Sequence, residues 1–103
     1  MEKLPYKVII DELPEQSVAQ FSGQLIINHI EKITAIVKQE LKTDKDLKVE
    51  IVNTESIDVT FIQLLLSIKD TFKSNGHKVN INAELNEDLQ ILIKNAGFQY
   101  VLN

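Results

Sequence analysis

The sequence predicts a small two-layer α/β domain: a mixed four-stranded sheet with three helices mainly on one face, in the order β-β-α-β-α-β-α. Two observations carry this reading. "LKVEIVN" and "KVNINA" flank the apolar segment "DVTFIQLLLSIKDTFKSNG". A strand, a helix and a strand of that size make a crossover with parallel strands, right-handed by strong precedent. Both strands also alternate. Leu47, Val49 and Ile51 point one way and Lys48 and Glu50 the other; Val79, Ile81 and Ala83 oppose Asn80 and Asn82. Strands buried on both faces read as unbroken apolar runs, so these two have one wet face. A doubly wound nucleotide-binding sheet is thereby disfavoured.

The elements follow in chain order. "YKVIID" is β-branched and short, and "ELPEQ" stops it, so it is a strand. "SVAQFSG" is a second strand ending at Gly23, joined to the first by a hairpin with a longer loop that carries Pro14. In "NHIEKITAIVKQELK", Ile30, Ile33, Val37 and Leu41 recur at helical spacing, with Asn28 as the expected cap. "TDKD" is a loop of mixed charge, expected to be solvated. The helix over 59–75 ends at Gly76, which is placed as the residue just past its C-terminus. "NEDLQILIKNAG" is the third helix, capped by Asn86 and stopped by Gly97. "FQYVLN" then closes the chain and is expected to dock on the core.

Length and composition bound the function. One domain covers 1–103, with 44% hydrophobic and 25% charged residues, ordinary for a globular protein. The net charge of −4 and the lack of a Lys/Arg cluster argue against nucleic acid as a partner. There is no cysteine, hence no disulfide framework, thiol catalysis or thiolate metal site. No apolar run approaches the ~20 residues that span a bilayer. The N-terminus lacks the apolar core of a signal peptide. These features fit a cytoplasmic protein without direct membrane insertion.

Signatures of catalysis are missing. There is no Walker loop, dinucleotide fingerprint, HExxH or nucleophile elbow. His29 and His77 stand apart from any spaced ligand set and are expected at the solvated surface, so neither a metal nor a cofactor is expected. Glu87 and Asp88 sit in the first turn of a helix, where the macrodipole accounts for them. Glu55 and Asp58 flank the start of the central helix, but nothing separates their environments as an acid–base pair requires. An enzyme is therefore not expected.

The central helix is the informative element. At 100° per residue, Phe61, Leu64, Leu65, Ile68 and Phe72 form one stripe that must face the sheet. Ile62 and Leu66 fall outside it, one turn apart on the flank above Lys69 and Lys73. Either neighbouring helices cover them, or they form a candidate partner-binding patch at the start of the helix, next to Phe61. Asp58 or Thr60 caps that start, and Thr60 with Gln63 fits a capping box. A phosphate on a hydroxyl here would add nearly two negative charges beside Glu55 and Asp58 and repel a docked partner.

In their order and spacing, three segments resemble the STAS domain of sulfate transporters and anti-sigma-factor antagonists. They are "FSGQLIINHIEKITAIVKQEL", "KVEIVNTESIDVTFIQLLLSIKDTFKSNGHKVNI" and "LNEDLQILIKNAGFQYVL", and they cover the chain from about residue 16 onward. The resemblance implies a non-enzymatic protein-interaction module in signal transduction by partner switching. A kinase-like anti-sigma factor would phosphorylate a hydroxyl directly after the loop Asp, and the phosphate would block binding. Asp58 matches that Asp, but the acceptor position holds Val59. Thr60 is the next hydroxyl, and Phe61 stands where the family has Gly. Either Thr60 takes the phosphate or the switch is lost and binding is constitutive. Other members accompany chemotaxis and phosphorelay proteins, or serve as accessory subunits of a transporter ATPase, a role that needs no hydroxyl.

Overall fold

Every crossover in this chain steps to the neighbouring strand in the same direction, and that decides the layering. The computed structural model describes residues 4–95 and Gly97. Its strands are β1 (Tyr6–Glu12), β2 (Gln16–Leu25), β3 (Asp46–Ile57) and β4 (Val79–Ala83). Helices α1 (Ile30–Glu40) and α2 (Val59–Ser74) are the two crossovers, and α3 (Glu87–Asn95) follows β4. The sheet order is β1-β2-β3-β4, with β1–β2 antiparallel and the other two pairs parallel. Two right-handed crossovers stepping the same way put α1 and α2 on one face. The expected small α/β domain, with a mixed four-stranded sheet, is the architecture found. The expected role of 98–103 lies outside the described residues.

The core lies between sheet and helices. Ala19, Phe21, Leu47, Val49, Ile51 and Ile81 point inward from the strands, against Ile33 and Val37 of α1 and Phe61, Leu65, Ile68 and Phe72 of α2. Phe21 and Phe61 meet edge to face, ring centroids 5.1 Å apart. Ile93 of α3 joins the same cluster. On the other face, the polar positions predicted from alternation hold, and Lys48 and Glu50 form an ion pair at 3.3 Å.

Element boundaries shift in informative ways. The β1–β2 connection is tighter than expected: residues 13–15 suffice, with Leu13 N–H donating to Gln16 O at 3.0 Å. Asn28 does not cap α1. His29 occupies that position and makes no side-chain cap bond. Asn86 does cap α3, accepting from Leu89 N–H at 2.9 Å. Gly76, at φ +79°, ends α2 as expected. Gly76 N–H reaches Lys73 O at 3.0 Å and His77 N–H reaches Phe72 O at 2.9 Å, which together satisfy two carbonyls of the last turn.

The mixed-charge loop before β3 is not merely solvated. Lys45 pairs with Glu12 at 3.1 Å and donates to Leu13 O at 2.8 Å. Glu12 also accepts from Ser17 Oγ at 3.0 Å and Lys42 N–H at 3.4 Å, tying three segments together at this end of the sheet. Burial would raise the Glu12 carboxyl, but its bonds from Lys45, Ser17 and Lys42 outweigh that and hold it below the usual range.

At the opposite end both parallel strands bend. Between the Phe21–Ile51 and Leu25–Ile57 pairs, β3 uses more residues than β2, and Asn53 within it takes φ +48°. Gly23, at φ +87°, sits where the backbone of β1 approaches. A Cβ there would run into the Pro5 carbonyl oxygen. Gly23→Ala is therefore expected to cost about 2–4 kcal/mol, from positive φ and a clash with an atom that cannot step aside. A thermal melt checks this; an unchanged midpoint would contradict the close approach.

Candidate functional site

The bent ends of β2 and β3 carry two loops to the same place. Adjacent parallel strands finish at the same edge, so the β2–α1 connection and the start of α2 are neighbours. Asp58 locks them together. Its backbone N–H donates to Leu25 O at 3.2 Å. Its Oδ2 accepts from Ile27 N–H at 2.7 Å, and its Oδ1 accepts from Thr60 N–H at 3.0 Å. The Thr60 hydroxyl also donates to Oδ1. Asp58 is thus the N-cap of α2, with extended backbone at φ −134°, and it also tethers a loop 31 residues away in sequence. The capping-box alternative through Thr60 is not what forms.

The electrostatics follow. Partial burial pushes the Asp58 carboxyl up. The Thr60 hydroxyl and the amides of Ile27, Thr60 and Phe61 overcome this and hold it below the ordinary aspartate value. Asp58 therefore stays a carboxylate across the neutral range, fully used as an acceptor. Beside it, Gln24 bridges outward: its Nε2 donates to Glu55 at 3.5 Å, and its Oε1 lies 3.2 Å from His29 Nε2. The His29 ring rests against Tyr6, centroids 5.3 Å apart. His29 is thus half-buried in a structural contact rather than solvated. His77 likewise lies 3.5 Å from Asp46. Among the described residues no cluster of His, Asp and Glu has the makings of a metal site.

Two aliphatic side chains flank the Asp58 clamp and face solvent. Ile27 is 65% exposed and Val59 is 47% exposed. Val59 belongs to the motif that the sequence singled out. Ile27 was missed, because nothing in a single loop sequence says which distant loop it will join; only the parallel pairing of β2 with β3 does.

The expected patch on the flank of α2 needs correction. Ile62 is 2% exposed and Phe61 is fully buried, so both are core residues and neither offers a surface to a partner. The buried arc of α2 runs from Ile68 through Leu65 to Ile62, turned away from the position that strict stripe-counting gave it. Leu64 is only half-buried, beside an open groove toward Val37 of α1 and Leu41 just past its end. Leu66 is also half-buried, in a shallow depression with Lys69, Lys73, His77 and Lys78.

No protein-family model matches this chain, and no curated protein matches its sequence. Solved structures do. An anti-sigma-factor antagonist STAS domain from Rhodobacter sphaeroides superposes with a TM-score of 0.57 at 15% identity, covering 72% of this chain and 82% of that one. The Bacillus cell fate determinant SpoIIAA, in its phosphorylated form, gives 0.52 at 13% identity over 89% of this chain and 85% of its own. Among the described residues no helix is long and apolar enough to cross a membrane. The sheet order, the helices on it and these superpositions together give this chain the fold of a STAS domain.

Proposed function

We propose that this domain is a non-catalytic docking module. It binds a protein partner constitutively through the loop surface made by Ile27 and Val59 around the Asp58 clamp. The observation that carries the reading is the pair of exposed aliphatics on a loop pair already fastened by hydrogen bonds. A preorganised apolar surface binds without first paying to order its loops. The fold is shared with anti-sigma-factor antagonists, which supports a regulatory role.

One structural relative is a phosphorylated protein. Here the position that follows the loop Asp is Val59, which has no hydroxyl to modify. Thr60 does have one, but it is spent on Asp58. A phosphate on Thr60 would set a dianion against the capping carboxylate and pull the clamp apart. Both features favour permanent docking over a phosphate switch. They also favour the accessory-subunit reading, in which the partner is a transporter ATPase rather than a kinase-like anti-sigma factor.

A photo-crosslinking amino acid at position 59, followed by mass spectrometry in the native host, identifies the partner and separates those two classes. With the partner purified, Ile27→Asp and Val59→Glu are each expected to weaken binding at least about tenfold, equivalent to 1.4 kcal/mol. Their melting points should stay near wild type because both side chains are exposed. Undiminished binding by both variants would rule this surface out.

A further inference from the structure

We propose that the free edge of β1 pairs antiparallel with the same strand of a second copy, joining two sheets into one across a two-fold axis. Strand β1 is an edge of the sheet, and among the described residues nothing pairs with its outer side. It has the usual makings of a template. It runs seven residues, contains no proline, and keeps an unbroken register with β2 from Tyr6 to Glu12. The opposite edge, β4, has five residues.

Backbone phase and side chains select the same register. Gln24 N–H donates to Pro5 O at 2.8 Å and Leu13 N–H to Gln16 O at 3.0 Å, so the odd-numbered residues of β1 turn their amides toward β2. Tyr6, Val8, Ile10 and Glu12 turn theirs outward. An antiparallel copy can then set Val8 against Ile10 of the partner subunit as a hydrogen-bonded pair. The same register sets Ile9 against Ile9 of the partner subunit, and Lys7 against Asp11 of the partner subunit. Those are non-hydrogen-bonded pairs, the kind with the closest side chains. Sliding to either neighbouring register that keeps the backbone phase puts Lys7 or Asp11 opposite Ile9 instead.

The charges are available for this role. Lys7 and Asp11 are exposed, on the sheet face away from the helices, and neither forms an ion pair among the described residues. The pairing is isologous, so it uses up the edge and stops at a dimer. A ribbon contact is small, which places the association among weak, concentration-dependent ones.

Sedimentation of the whole chain from about 5 to 500 µM tests it, a span suited to such a contact. Wild type is expected to pass from monomer to dimer. Lys7→Asp or Asp11→Lys sets like charges opposite each other twice and should raise the dimer dissociation constant at least about tenfold. The double exchange Lys7→Asp with Asp11→Lys should restore it to within about threefold, because opposite charges face each other again. Amide exchange at Val8 and Ile10 should slow as concentration rises. A wild type that stays monomeric throughout would overturn the proposal. So would a dimer that both single variants leave intact, or one that the double exchange fails to recover.

Discussion

Replacing Ile62 by glutamate is expected to unfold the domain. The side chain is 2% exposed within the cluster that includes Phe61, Leu65, Ile81 and Ile93. Removing it forfeits about 1.5–3 kcal/mol of apolar burial. The glutamate must then either ionise in an apolar site or take up a proton, at a further cost of about 2 kcal/mol or more. A domain of this size holds about 5–10 kcal/mol in total, so most of its stability would go. Far-UV circular dichroism and chemical-shift dispersion report it. Leu66→Glu, one turn on, is the contrast. That side chain is half-buried beside Lys69, Lys73 and Lys78, where a carboxylate meets cations and water, with Asp70 one turn on as a like charge. Its cost should stay within about 1 kcal/mol. An Ile62→Glu protein that melts like wild type would show that α2 is rotated from the position described.

Asp58→Ala should also be strongly damaging, lowering stability by about 2–3 kcal/mol, or about 10 °C or more in melting temperature. It deletes the cap of α2, the partner of the Thr60 hydroxyl and the tether to Ile27 in one step. Asp58→Asn should cost less, since one oxygen remains, but its amide would face the Ile27 N–H as donor against donor. The pH dependence has a definite sign. The folded carboxyl titrates below its unfolded value. Its contribution is therefore complete above about pH 5 and is lost as pH falls through the folded pKa. The stability gap between wild type and Asp58→Asn should accordingly be constant near neutrality and narrow as pH falls through the folded pKa. Denaturant titrations at several pH values measure it. A gap that does not narrow at all as pH falls would mean that the charge on Asp58 is not what holds the clamp.

The architecture was legible because it rests on local patterns. Strict alternation in 47–51 and 79–83 announced a sheet with one open face. Gly76 and Asn86 announced helix ends through backbone needs that few residues meet. What escaped was set by tertiary geometry. Stripe-counting on α2 placed Ile62 outside the core because it assumes one flat sheet below the helix. In the fold, the buried arc of α2 is wider and turned toward Ile62, while the groove toward α1 leaves Leu64 half open. The site was half legible: the Asp-led motif marked Asp58 and Val59. Ile27 was invisible because its role comes from a hydrogen bond across 31 residues. Lys45 was misjudged as solvated for the same reason, since its partner Glu12 lies on another strand.

Strand order that repeats chain order has a consequence for biogenesis. A ribosome delivers this polypeptide from its N-terminus, and each strand can be laid against the one just completed, with no slot held open for a later insertion. Only the β1–β2 hairpin closes a short loop; each parallel pairing, such as Gln16 with Asp46 or Leu47 with Val79, closes one of about 30 residues and forms more slowly. The hairpin and the first crossover can form a growing seed while the remainder is still being translated.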